Sequence, residues 1–362
     1  MKKYYSYFLI LCTLSCTETK HTLISGDINN LPDGKMYLYK DNVNNRIDST
    51  IVKNGKFNFN YIWNDSEPVY LGLDHVDKKK VTRAFNFPTE SKYLGAGWNS
   101  PNFLSDSIIK ITGKIIDFEL KDLKLPDNFK FVTTQKIVAG KQTLAFYNID
   151  NDIFDQISNG KVEIIKEKIK IYPYSYHLLY KINETKNSFS AKQLVSLLDS
   201  FKGDIRKSET YKNLKAYNDK RFNEKTVVLP LLEDNTGKKT EIINKKYKKH
   251  LIVFWASWCG PCRQEIPILK KIHSQYKDKV EFISISLDED KKSWKEALAL
   301  ENMTWKQLIV NKKNITDYEA LQINYKLDQA IPYTVLIDSN NKILSKTTGL
   351  SNEKELIELL KK

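Results

Sequence analysis

The sequence predicts a C-terminal α/β domain over residues 226–362, a mixed central sheet flanked by helices. A small all-β domain at 22–118 and a helical linker domain at 140–225 precede it. Three observations predict this. Residues 251–267, LIVFWASWCGPCRQEIP, pass from an apolar β-type run into a pattern with Ile266, Leu269, Ile272 and Tyr276 three or four residues apart, the spacing of one helix face. MYLYKDN and KFNFNYIW alternate apolar and polar residues, as strands with one buried face do. Between these regions the apolar period becomes helical.

A chain of 362 residues is long for one core, and a hydrophobic fraction of 41% marks it as globular rather than disordered. The net charge of +14 is spread as lysine over the whole length, in short runs such as Lys78-Lys79-Lys80 mixed with acids. No nucleic-acid recognition motif accompanies it, so solvated basic faces with weak attraction to anionic lipid or acidic partners are expected.

Taken in order, Lys2 and Lys3 precede an apolar stretch from Tyr4 to Leu14, too short to span a bilayer and suited to the core of a signal peptide over 1–16. Its Leu14-Ser15-Cys16 ending resembles a bacterial lipoprotein signal. That resemblance implies lipidation of Cys16 and a membrane anchor without a spanning helix, although Thr13 stands where Leu or Val is usual. The alternatives are simple secretion and a retained anchor. Residues 17–21 are a polar tether. In the β region, Pro32-Asp33-Gly34 and Asn54-Gly55 are turn signals between strands, and Gly95-Ala96-Gly97 is a loop, not a nucleotide site. In the linker, helical spacing covers Asp152–Ile171, Tyr176–Ile182, Ala191–Phe201 and Tyr211–Tyr217, with a start at Ser188-Phe189-Ser190. Tyr172, Tyr174, Tyr176 and Tyr180 are expected in core and rim.

In the last domain, Val227–Leu232 and the Asp234-Asn235-Thr236-Gly237 turn lead to the strand Lys248–Trp255. Val280–Leu287 is the continuous apolar run of a buried parallel strand. Asp288-Glu289-Asp290 caps a helix with Trp294 and Leu298, a use of acids at a helix start that is favoured over a metal site. A short strand and a helix lie within 304–330. A hairpin of Tyr333–Asp338 and Lys342–Thr347 follows, then a helix over Asn352–Leu360 with Ser351 as its N-cap.

A strand that feeds a helix through Cys259-Gly260-Pro261-Cys262 puts both sulfurs at the helix N-terminus, where unpaired N–H groups and the dipole stabilise a thiolate. At i, i+3 they share a face and can close a small disulfide. Zinc needs about four ligands, and the only other cysteines, Cys12 and Cys16, lie at the far N-terminus. Two-electron thiol–disulfide exchange is therefore favoured over a zinc site or an inert pair.

FWASWCGPCRQEIP resembles the active-site segment of thioredoxin-fold thiol-disulfide oxidoreductases, most closely the envelope-facing TlpA/ResA-like branch, and the likeness runs over roughly 226–362. The stretch between Leu287 and Ile331 resembles the strand–helix insert of that branch. The segment from SGDINNLPDGKMYLY to KNGKFNFN resembles a β domain of unknown function found ahead of such domains.

The resemblance implies Cys259 as nucleophile, Cys262 as resolving thiol, Trp258 shaping access and Gly260-Pro261 setting the turn, with Trp258, Gly260 and Pro261 at the substrate. It also implies a cis Ile331-Pro332 bond that presents Ile331 to an extended substrate, and a kink at Pro267. Val253 stands where related chains often bury a proton-transferring aspartate. Glu265 matches the glutamate of the ResA-like branch and, three residues beyond Cys262, shares its helix face. Trp255 and Phe254 are expected in the core. The implied function is reduction of disulfides in envelope proteins, including cytochrome c maturation, with an upstream membrane thiol donor. No cofactor beyond the Cys259–Cys262 pair, no metal and no nucleic acid are expected. An oxidase or isomerase of the same fold, or a binding lipoprotein whose N-terminal region recognises a ligand, are the alternatives.

Overall fold

A computed structural model describes residues 20–63, 65–93, 97–118, 125–222, 227–311, 314–328 and 330–362. Cys16, the signal segment, Gly95-Ala96 and the expected boundary at Thr226 lie outside the described residues. Among the described residues no helix is long and apolar enough to cross a membrane. The chain divides into two compact units. One comprises the described residues up to Asp152 with Ser175–His177, and the other comprises Ile153–Tyr174 with Leu178–Lys362.

The first unit holds β1 (His21–Ile28), β2 (Gly34–Lys40), β3 (Arg46–Val52), β4 (Lys56–Ile62), β5 (Tyr70–Asp77), β6 (Thr82–Tyr93), β7 (Gly97–Ser100), β8 (Asn102–Leu104), β9 (Ile108–Phe118), β10 (Phe129–Val138) and helix α1 (Lys141–Tyr147). The strands form one sheet in the order β3-β2-β5-β6-β10-β9-β1-β4, with β7 on β6 and β8 on β5. β3 and β4, at opposite ends of that order, join through the Asn54-Gly55 turn, where both residues have positive φ and Lys53 bridges Lys56. Met36, Leu38, Leu71, Phe85, Phe87 and Phe103 fill the core.

The β domain is larger than the expected 22–118, because β10 pairs with both β9 and β6. The start of α1, expected in the linker, also belongs here. The buried Asp106 carboxylate accepts the N–H groups of Gln142 and Thr143 (3.2 and 2.8 Å), and Thr143 Oγ1 pairs with Leu104.

The second unit begins with helices α2 (Asn159–Ile171), α3 (Tyr176–Glu184, its first two residues grouped with the β unit), α4 (Ala191–Ser200) and α5 (Glu209–Phe222). Ser190 caps α4 in a reciprocal box with Gln193, the sequence signature of a helix start. Tyr172, Tyr174, Tyr176 and Tyr180 are half-buried, as a rim position requires.

The rest runs β11 (Leu232–Asp234), β12 (Lys239–Thr240), β13 (Lys249–Trp255), α6 (Gly260–Tyr276), β14 (Glu281–Ser286), α7 (Lys291–Glu301), β15 (Lys306–Ile309), α8 (Ile315–Tyr325), β16 (Tyr333–Asp338), β17 (Ile343–Thr348) and α9 (Glu353–Leu360). The mixed sheet has the order β12-β11-β15-β14-β13-β16-β17, parallel among β13, β14 and β15 and antiparallel at both sides. Side chains alternate across β13, so Ile252 and Phe254 enter one core while Leu251 and Val253 enter the other, under α6 and α9. Of the apolar stretch Val227–Leu232 only Leu232 enters a strand, as the first residue of β11.

Candidate active site

At the end of β13 the chain turns through Ala256, Ser257 and Trp258 into α6, and Cys259 is the N-cap. Its sulfur accepts the backbone N–H of Cys262 at 3.2 Å, filling one of the donors that a helix start leaves without an intrahelical partner. Pro261 costs nothing in this first turn, because its missing N–H would have had no helical partner. Cys259 and Cys262 form a disulfide with Cα atoms 5.3 Å apart, inside bridging range. Both cysteines are buried, while Trp258, 67% exposed, and the exposed Gly260 and Pro261 surround them at the surface. Beneath the turn lie Trp255, Ala256, Ile266, Trp294, Ala297 and Ile309. Pro267 stands inside α6, which continues across it to Tyr276.

The Ile331–Pro332 peptide is cis, and the Ile331 carbonyl oxygen lies 3.8 Å from Cys259 Sγ. Two separated stretches thus meet at one sulfur, the turn that carries β13 into α6 and the residues before β16.

Glu265 is 1% exposed on the buried face of α6. Burial raises its carboxyl pKa above the ordinary glutamate value, against the opposing pull of hydrogen bonds from Ser351. The Ser351 N–H donates to Oε1 at 2.9 Å, whereas Oε2 finds no partner among the described residues. The expected N-cap role of Ser351 therefore passes to Asn352, whose side chain accepts from Glu355 N while Glu355 accepts in return. Ser351 is buried and its amide is already committed to Glu265, so the exposed next residue closes the box.

Asp288 is the residue that sequence reasoning missed. Read with Glu289 and Asp290 as a helix cap, it has another place. Asp290 alone is the N-cap of α7, accepting from Lys292 and Ser293. Asp288 is 2% exposed and accepts from Ser257 N (2.9 Å), Ser257 Oγ (2.7 Å) and Ser286 Oγ (2.7 Å). The signal was available in strand pairing. Trp255 and Ser286 are register partners at the parallel ends of β13 and β14, so Ser257 and Asp288, each two residues further on, emerge side by side.

Two family models and several known proteins are similar to parts of this chain. Residues 247–343 match a family described as thioredoxin-like, and residues 22–124 match a domain of unknown function (DUF4369). The thioredoxin-like protein YneN of Bacillus subtilis is 30% identical over 129 residues, 34% of this chain and 71% of its own length. The thiol-disulfide oxidoreductase ResA of Bacillus thuringiensis is 30% identical over 133 residues, 36% of this chain and 73% of its own. The crystal structure of the thioredoxin domain of a Bacteroides vulgatus thiol-disulfide oxidoreductase is 26% identical. It covers 35% of this chain and 89% of that one at a TM-score of 0.31.

Proposed function

Because the chain belongs to the TlpA/ResA-like thiol-disulfide oxidoreductases of the thioredoxin fold, we propose that it reduces disulfides of cell-envelope proteins, cytochrome c maturation among them, through Cys259 and Cys262. In the reduced form, the Cys259 thiolate attacks one sulfur of the substrate disulfide. That bond breaks, a mixed disulfide forms and a substrate thiolate leaves. Cys262, losing its proton to Glu265, then attacks Cys259 Sγ. The mixed disulfide breaks, the second substrate thiolate leaves and the Cys259–Cys262 bond returns. Two electrons pass to the substrate, and an upstream membrane dithiol must restore them. Lipidation at Cys16 would hold the protein at the membrane where that donor sits.

The observation that carries this reading is the disulfide at the first turn of α6 beside the Ile331 carbonyl. The N–H groups there favour a thiolate, and backbone beside the sulfur can pair with an extended substrate. Envelope extracts treated with the Cys262→Ala variant should yield partners bound covalently to Cys259, identified by mass spectrometry. Cys259→Ser should yield none, and the wild type should reduce insulin in the presence of a dithiol. Absence of covalent adducts together with no insulin reduction would overturn the proposal.

A further inference from the structure

The helical segment touches the residues that lead into the cis peptide, and it does so through one short loop. Asn187 N donates to Asp328 Oδ1 at 3.0 Å, and Ser188 Oγ donates to Asp328 Oδ2 at 3.1 Å. Asn187 Nδ2 donates to the Leu327 carbonyl at 2.7 Å. Asp328 stands three residues before Ile331, whose carbonyl faces Cys259.

The donor loop is itself held from behind. Tyr217 Oη donates to Asn187 Oδ1 at 2.7 Å, and the Lys186 ammonium lies over the Tyr217 ring at 4.1 Å. The Arg221 guanidinium donates to the carbonyls of Lys186 and Phe189 at 3.0 and 2.7 Å. Asn187 is buried, so the bonds of its side chain to Leu327 and Tyr217 are shielded from competing water. The thioredoxin-like family match begins at residue 247, so this loop lies outside it.

We propose that the Lys186–Ser188 loop braces the cis-proline approach, with Asn187 and Asp328 as positioning residues for the thiol–disulfide exchange. Resting on the proposed reductase function, this assigns the helical segment a part in protein-substrate recognition. An extended substrate that pairs with the backbone at Ile331 needs that backbone held at a fixed distance from Cys259, and misplacement by a residue remote from the chemistry can cost up to about 100-fold in rate. A small dithiol makes no such pairing and should be less sensitive. Asn187 is the centre of the brace, because one side chain ties Leu327 and Tyr217 together.

The test uses the full chain with Asn187→Ala, and with Tyr217→Phe as the milder variant that removes only the hydroxyl holding Asn187. Two readouts are taken. Backbone amide exchange over residues 331–336 should quicken by about tenfold in Asn187→Ala and by less in Tyr217→Phe. Insulin reduction should lose about tenfold in kcat/KM through a rise in KM, while reduction of the Cys259–Cys262 disulfide by dithiothreitol slows less than about threefold. The brace is overturned if exchange over 331–336 matches the wild type, or if the protein and dithiothreitol reactions fall together in proportion to the folded fraction. A wild type unable to reduce insulin refutes the reductase reading, and the amide exchange then decides the brace by itself.

Discussion

Substitution of Asp288 measures how much of the active-site turn is held from the neighbouring strand. Asp288→Ala removes the acceptor of three donors, the Ser257 amide and the hydroxyls of Ser257 and Ser286. Hydrogen bonds to a charged group contribute about 1.5–3 kcal/mol each, and a buried donor left unpaired costs about 1–3 kcal/mol. The two hydroxyls are free to rotate, and Ser286 Oγ keeps the N–H of residue 288 at 2.9 Å, so the losses do not sum. The amide of Ser257 cannot rotate. The expected destabilisation is about 2–4 kcal/mol for Asp288→Ala and about 1–2 kcal/mol for Asp288→Asn, which keeps one carbonyl oxygen in place. Denaturant dependence of amide exchange in β13 and β14 reports that difference for the second unit alone. Ser257 also precedes Trp258 and Cys259, so the loosened turn should lower kcat/KM for insulin by about tenfold, beyond the loss of folded protein. A cost under about 1 kcal/mol, or a full cost with turnover per folded molecule intact, would refute the reasoning that Asp288 positions the turn.

Two further outcomes follow from buried titrating groups. Burial raises the Glu265 pKa, so the folded state keeps its proton to higher pH than the unfolded chain does. Its contribution to stability is full below the ordinary glutamate range and is lost as pH rises through the raised value. Glu265→Gln should therefore gain stability relative to wild type with rising pH, while its exchange rate falls and the pH profile of that rate flattens. An unchanged profile ends the proton-transfer role. In the β unit, burial and then the Arg83 charge push His75 down to about 4 from the ordinary 6.5. The unfolded chain takes that proton first, so the stability from a neutral His75 is full above about 6.5 and is lost by about 3 kcal/mol as pH falls to about 4. Amide exchange of β2 and β5 in wild type and His75→Gln reads this slope, and a flat wild-type response counts against it.

The two kinds of information in the chain differ in range, and that difference explains what could be read. β13, the Cys-Gly-Pro-Cys turn and α6 are one continuous stretch that passes from an unbroken apolar run to an apolar period of 3.6, so local pattern alone places the sulfurs at a helix start. The buried run of β14 and the β16–β17 hairpin were legible for the same reason. The place of Glu265 on the Cys262 face also followed from spacing, but its burial did not, because a core glutamate and a solvated one look alike in a sequence. Ser351 was read as a cap because serine before an apolar helical run is the usual signal. Only the fold reveals that its amide serves a carboxylate 86 residues away.

The supports around Cys259 are nearly all of this second kind. Ser257 and Asp288 are 31 residues apart, and Asn187 and Asp328 are 141 apart. Each pair joins a polar side chain to a partner that strand order or helix docking brings alongside, and neither leaves a periodic trace. The motif by itself encodes a reactive pair on a helix tip. Selectivity toward a protein disulfide requires backbone placed beside the sulfur, and here that backbone is Ile331, whose preceding residues Leu327 and Asp328 are bonded to Asn187 in a segment that the thioredoxin-like match does not include. Chains that share the Cys-X-X-Cys turn should therefore differ in substrate according to what secures the residues before the proline.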